Sequence, residues 1–428
     1  MRRQSIDKKP PLPFPRASLL PRRLRLRTYV LLLLLSSLIV LTLILVKFKL
    51  SGDWDGIYLL KGNKGFLLEV KDSVFLGEYD RVLVTLEYAS LFSFLRPGEE
   101  GAERQPHLKF HWVERSGRGF IRSFFPDNTE FLVCFGRYVD SAGLTQQGLF
   151  VGGGLPFGEY DRDKPIENET GMAFFDGKEW QHLWCNVNES INPGLHPGTS
   201  FAPSSWKFLG SKIIRGNRTE VVLASAHEVV IEGQPLRIGR YLFYRAGDKY
   251  IVLAVKITNT GKGIASYIYI YGDEPWVGDF GTSMGNVGWY RDGLVTVEGR
   301  LDSSVYNYAG YWDRGNPLCI SGRIFSGVAN FIEWGGDFQP DLVYFSNTIG
   351  RYADTFRQVP LCDPANRVLF LQYGPRIITP KQTDLVFFVI GMADPDPSGG
   401  LPKKPDVSFN PANYPLLRRG PANPFGVE

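Results

Sequence analysis

Soft and imidazole side chains are scarce: 428 residues supply four cysteines, four methionines and five histidines. None of Cys134, Cys185, Cys319 and Cys362 stands in a C-x-x-C or C-x-x-H spacing, which excludes the common zinc modules. His107 and His111 are the only close histidine pair, in the strand-like stretch HLKFHWVE. Residues i and i+4 of a strand share a face but lie about 13 Å apart, too far for one metal ion. His182, His196 and His227 are isolated and read as solvated or hydrogen-bonded side chains. The glycine-rich VGGGLPFG (151–158) lacks the G-K-[ST] ending of a phosphate-binding loop. No metal and no cofactor is expected.

A basic excess is also missing from most of the chain. Net charge is +4, yet the first 27 residues carry nine basic side chains against Asp7 alone, leaving the remainder near −4. Nucleic acid is therefore not an expected partner. Long amphipathic helical patterns are scarce as well, which turns attention to strands.

One long hydrophobic run is present. TYVLLLLLSSLIVLTLILV, from Thr28 to Val46, has 19 residues and no charge, close to the roughly 20 that span hydrocarbon at about 1.5 Å per residue. Arg2, Arg3, Lys8, Lys9, Arg16, Arg22, Arg23, Arg25 and Arg27 precede it; Lys47, Lys49, Asp53 and Asp55 follow. That asymmetry places the N-terminus in the cytoplasm and everything from about Phe48 onward across the membrane. A cleaved signal peptide is the competing reading, but VKFKLSGDW offers no small-x-small site. The expected plan is a cytoplasmic basic, proline-rich stub (1–27), a single-pass signal-anchor transmembrane helix (28–47), a periplasmic or otherwise extracytoplasmic domain (51–393) and a proline-rich tail (394–428). Such a tail is either disordered or lies flat along the domain surface.

All four cysteines fall on the exported side, where disulfides are permitted. Cys319 (GNPLCISG) and Cys362 (QVPLCDPAN) lie in Gly/Pro-punctuated stretches and are expected to pair. Cys134 and Cys185 sit in strand-like runs, where pairing and burial as thiols stay open. Asn168, Asn188 and Asn217 open glycosylation sequons, used only in a glycosylating pathway.

Period-two alternation recurs between turn residues, as in RVLVTLEY (81–88), EFLVCFGRY (130–138), EVVLAS (220–225) and RVLFLQYG (367–374). In YIVLAVKI (250–257), Ile251, Leu253, Val255 and Ile257 share a face. In IASYIYIY (264–271), Tyr267, Tyr269 and Tyr271 share one face and Ile268 and Ile270 the other. These two stretches read as a hairpin, with Gly261 supplying a positive φ. The fold class is all-β: a large antiparallel β-sandwich behind one N-terminal transmembrane helix. The shift in composition at 192–205 could join two domains or be one long loop of a single large sandwich, and the loop is the expectation.

Two clusters could carry chemistry. YGDEPWVGDFGTSMGNVGWYRDG (271–293) follows a strong strand and is expected to be a loop at a sheet edge; YNYAGYWDRGN (306–316) is the second. Aromatic faces cover the C–H face of a sugar, while carboxylates, Arg and Asn take its hydroxyls. Asp273, Glu274, Trp276, Asp279, Trp289, Arg291, Trp312 and Asp313 are the candidate site residues. Glycoside cleavage needs two carboxylates flanking a bond, but Asp273 and Glu274 point to opposite sides of extended backbone. Asp161-Arg162-Asp163 is a D-x-D, the pattern of many Golgi sugar transferases, here without a surrounding βαβ unit.

The run from Glu228 to Trp276 resembles the galactose mutarotase-like supersandwich, on the element Ile257-Thr258-Asn259-Thr260-Gly261 and the strand after it. The resemblance covers about one-tenth of the chain. It implies a large antiparallel sandwich of a family that epimerises, cleaves or binds carbohydrate. In the mutarotases a histidine follows that second strand and polarises the sugar ring; Asp273-Glu274 stand there in this chain. Three functions stay open: carbohydrate recognition or modification, a structural scaffold binding other envelope proteins, and a Golgi-type sugar transferase.

Overall fold

A computed structural model of the chain describes residues 57–62, 65–72, 78–83, 105–114, 118–135, 138–139, 145–146, 171–192, 206–278, 286–319, 324–335, 339–347, 358–362 and 367–417. The expected anchor, the D-x-D at 161–163, Asn168 and the composition shift at 193–205 lie outside them. Among the described residues no helix is long and apolar enough to cross a membrane.

The described strands form two large antiparallel sheets. The first has twelve strands, in spatial order β1 (Ile57–Gly62), β2 (Gly65–Asp72), β3 (Glu78–Leu83), β4 (His107–Val113), β5 (Arg118–Phe124), β6 (Glu130–Phe135), β9 (Gly171–Phe175), β10 (Trp180–Ile191), β15 (Ala265–Val277), β22 (Val368–Ile378), β21 (Leu342–Ser346) and β18 (Gly299–Leu301). The second has nine, in the order β11 (Lys207–Gly216), β12 (Glu220–Ile231), β13 (Gln234–Arg245), β14 (Tyr250–Asn259), β23 (Thr383–Ala393), β20 (Ala329–Glu333), β19 (Tyr308–Trp312), β16 (Val287–Tyr290) and β17 (Gly293–Val295). β7 (Tyr138–Val139) and β8 (Thr145–Gln146) make a small separate ribbon.

Alternation decides what lies between the sheets. Ile251, Leu253, Val255 and Ile257 of β14 join Tyr267, Tyr269 and Tyr271 of β15 in one buried core, and Tyr271 packs on Phe388 with ring centres 4.3 Å apart. Each such side chain contributes about 1.5–3 kcal/mol on burial. Ile270 points to the opposite face of its sheet, against Tyr344 and Phe370.

The two stretches do not form the expected hairpin. β14 pairs with β13 and β23 in the second sheet, whereas β15 pairs with β10 and β22 in the first. The connection is an arch between sheets, and its polar groups are satisfied on both sides. Asn259 Nδ2 donates to Gly263 O (2.8 Å) and to Ile378 O (3.0 Å), while Gly261 N donates to Asn259 Oδ1 (2.9 Å). Gly261 is not in the left-handed region. A Cβ there would displace the Gln234 side-chain amide, whose oxygen accepts from Gly263 N at 2.7 Å. A tight two-residue hairpin does occur between β12 and β13, where Glu232 (φ 49°) and Gly233 (φ 77°) both take positive φ.

The first candidate cluster is likewise not a loop from its start. β15 continues to Val277, pairing with β10 to its end but with β22 only as far as Asp273. Pro275 therefore falls where the strand has one described neighbour, the edge-like situation in which proline is tolerated.

Residues 394–417 lie across the outer face of the second sheet. Leu401, Val407, Phe409, Tyr414, Leu416 and Leu417 cover Tyr241, Phe243, Tyr250 and Val252. Two 3-10 turns, Pro411–Asn413 and Pro415–Leu417, carry this strap. The buried Lys256 ammonium fixes it by donating to Leu416 O at 2.7 Å. Cys319 and Cys362, 43 residues apart, form a disulfide with Cα atoms 5.5 Å apart, worth on the order of 3–4 kcal/mol by loop-closure entropy. Cys134 is buried; the Cys185 side chain is outside the described part.

Candidate functional site

Seven of the eight candidate residues lie in the described part, and they divide between the two sheets. Asp273, Glu274 and Trp276 sit in β15, facing Val187, Asn186 and Trp184 of β10 in register; their side chains are outside the described part, as is all of Asp279. Trp289, Arg291, Trp312 and Asp313 belong to the second sheet and its turns, with Val287 paired to Trp312 and Trp289 to Gly310.

Trp289 is fully buried, and its indole N–H donates to Asn330 O at 2.9 Å. Gly310 opposite leaves the space, since a Cβ there would run into Asn330 O. Trp312 is 8% exposed, donates to Gly327 O at 3.2 Å and carries the Arg314 guanidinium 4.7 Å from its ring centre. Neither indole offers an open face. Asp313 is buried too: its Oδ2 accepts from Ser326 N and Oγ, both at 2.6 Å, and its Oδ1 from Asn286 Nδ2 at 3.3 Å. Asn286 Nδ2 also donates to Val277 O at 3.2 Å. The two clusters thus meet, but Asp313 there locks irregular chain.

The exposed meeting of the two clusters lies at the β16–β17 turn. Arg291 engages Asp292 in a two-point pair, Nε–Oδ1 3.0 Å and Nη2–Oδ2 3.3 Å. The Arg291 guanidinium lies 5.2 Å from the Tyr306 ring centre, and Tyr290 meets that ring edge-on at 4.8 Å. Tyr308, half-buried, packs against Trp289 at 5.5 Å and lies 5.5 Å from Lys404 Nζ, which pairs with Glu333 at 2.7 Å. Hydrogen bonding from Arg291 holds the Asp292 carboxyl below its ordinary range. Partial burial, then the Asp292 charge, pushes the Tyr306 phenol up. Asp292 therefore remains an anionic acceptor at neutral pH rather than a proton donor. Tyrosine faces beside a fixed guanidinium–carboxylate pair suit recognition of a hydroxyl-bearing ring. Tyr290, Asp292 and Tyr306 fell within the two clusters but outside the eight.

A second polar group lies inside the sandwich. Arg240 of β13 reaches Glu189 of β10 across the sheets, Nε–Oε1 2.9 Å and Nη2–Oε2 2.7 Å. Tyr269 OH donates to the same Oε1 at 2.8 Å, and Arg240 Nη1 donates to His227 Nδ1 at 2.7 Å. The Trp206 ring lies 5.1 Å from the guanidinium. All five residues are buried, and the Tyr269 phenol is pushed well up by burial, then by the Glu189 charge. The signal in the sequence is parity: Arg240 stands on the inward stripe between Ile238 and Leu242, and Glu189 shares the parity of Leu183 and Ile191. Among the described residues no group of three or more His, Cys, Asp or Glu side chains is placed to hold a metal ion.

No protein-family profile matches the chain, and no curated protein matches it. Solved structures to which it is similar include a TPR-domain containing protein from Parabacteroides distasonis (10% identity, 71% of this chain and 53% of that one, TM-score 0.34). A GH36 α-galactosidase from Geobacillus stearothermophilus matches at 10% identity over 68% of this chain and 41% of that one, TM-score 0.31. A galactose mutarotase-like protein from Clostridium acetobutylicum matches at 9% identity over 64% of this chain and 94% of that one, TM-score 0.27. The chain thus spans about half the length of the first of these and less of the second. Likenesses at these TM-scores are loose, and the sandwich rests on its own strand pairing.

Proposed function

We propose that the protein is a single-pass, N-in membrane protein whose extracytoplasmic β-sandwich recognises carbohydrate. The observation that carries the reading is the exposed tyrosine–arginine–aspartate surface at the β16–β17 turn, where Arg291 lies 5.2 Å from the Tyr306 ring. It joins the exposed parts of both aromatic–acid clusters in one place. Membrane anchoring rests on the uncharged run 28–46 and the basic residues before it. Recognition rather than bond cleavage fits the patch, because Asp292 is held anionic by Arg291 and Glu333 is paired with Lys404.

A scaffold that binds envelope proteins is the second reading, favoured by the burial of Trp289, Trp312 and Asp313. A Golgi-type transferase has less support, since the described residues contain no βαβ unit. A glycan-array screen of the full-length protein in detergent separates the first two. Binding of a defined glycan class supports carbohydrate recognition; a blank array with a folded protein supports the scaffold.

A further inference from the structure

We propose that the cavity between the outer face of the second sheet and the C-terminal strap is a separate ligand site, one that takes the vicinal-diol edge of a single terminal sugar ring. Its walls come from the end of β13, the start of β14 and residues 408–414, elements distinct from the Tyr306 patch. The proposal stands independently of that patch.

The cavity is about 90 Å3. That is far below the ~300–1,000 Å3 of pockets that enclose a drug-sized molecule. An edge of a ring fits; a whole oligosaccharide does not. Its aromatic side is preassembled: Phe409 stacks between Phe387 at 5.2 Å and Tyr414 at 5.0 Å, and Phe243 closes on Tyr414 at 4.5 Å. The packed rings give the cavity a rigid apolar wall, suited to the C–H side of a sugar.

Its polar side is a carboxylate and a guanidinium set side by side. Arg245 Nη2 donates to Asp248 Oδ1 at 3.0 Å and to Ser408 Oγ at 2.6 Å, which orients the fork while the arginine stays more than half exposed. The adjacent acceptor and donor edges match two neighbouring hydroxyls, each of which both donates and accepts. Asn410 and Asn413 add amides to the lining. Charge selects a neutral ligand: Arg245 is offset by Asp248, and Glu220, which accepts from Tyr414 OH at 2.6 Å, is paired with Arg215 at 3.0 Å. Burial lifts the Asp248 carboxyl above its ordinary value, so its anion gains from hydroxyl donors. Water held by these groups would be replaced by hydroxyls that reproduce its hydrogen bonds. A bound ring would touch both β-strands and strap, tying the strap down.

The test uses the full-length protein in detergent micelles with methyl glycosides of D-glucose, D-galactose and D-mannose. Saturation-transfer NMR should show contact confined to one edge of at least one glycoside. Asp248→Asn should weaken it about tenfold, as for loss of one charge-assisted hydrogen bond; Asn413→Ala should weaken it by a smaller factor, and Lys262→Ala, exposed and outside both surfaces, should leave it unchanged. Because Asn413 is exposed, its variant keeps the test valid even if Asp248→Asn disturbs folding. No transfer from any of the three glycosides overturns the site. So does an affinity unchanged in both cavity variants, which would assign the sugar to another surface.

Discussion

Glu189 and Arg240 hold the two sheets together from inside, with a carboxylate oxygen 2.7 Å from a guanidinium nitrogen and both side chains no more than 3% exposed. Each residue comes from a different sheet, so the pair reports on sheet-to-sheet packing. A buried pair costs desolvation to form, but removing one partner leaves an uncompensated charge, at about 3–5 kcal/mol. Glu189→Gln and Arg240→Met should each lower stability by about that amount. The double variant Glu189→Gln/Arg240→Met should cost less than the two singles together. Chemical denaturation of the four proteins checks this; strictly additive losses would contradict it.

Trp289 acts as a core anchor on the outer face of the second sheet. Trp289→Ala should cost roughly 3–5 kcal/mol, the range for a buried Trp cut to Ala. Arg291→Ala, two residues away but exposed, should stay within about 0.5 kcal/mol of the parent. Thermal melts of the two variants separate core from surface along one short stretch, and equal melting points would contradict the assignment.

The Asp248 carboxyl has a raised pKa, with burial the largest cause and the Arg245 hydrogen bond opposing it. The folded chain thus keeps this proton to higher pH than the unfolded chain does. Stability is therefore lost as pH climbs from the ordinary 3.8 through the raised folded value. Asp248→Asn lacks that loss. Its melting temperature relative to the parent should rise with pH through that window, and parallel profiles would show that the carboxyl is not raised.

Strand faces were legible where alternation was strict: the parity of Ile251 to Ile257 and of Tyr267 to Tyr271 assigns the inner face correctly. The partner of each strand was not legible. T-N-T-G-K-G suits a hairpin or an arch equally, and the choice falls to Asn259, whose amide binds Ile378 O from 119 residues away. The pairing of Cys319 with Cys362 was readable from the Gly/Pro punctuation around both. Burial of Trp289 was not readable, because the space and the acceptor come from Gly310 and Asn330 on neighbouring strands. Composition alone left the tail either loose or surface-bound; the anchoring of 401–417 depends on Lys256 and on aromatic rings distant in sequence.

Calorimetric titration of the full-length protein with a glycan that it retains tests the central claim most directly, run beside Arg291→Ala and Tyr306→Ala. Loss of a stacked ring or of a bidentate donor typically removes about 1–3 kcal/mol, tenfold or more in Kd. The account predicts such weakening in both variants, with the melting temperature unchanged in Arg291→Ala and lowered only modestly in Tyr306→Ala, whose ring is half-buried. Parent-like affinity in both, or no glycan binding by a folded parent, would contradict carbohydrate recognition at this surface and leave the scaffold reading in its place.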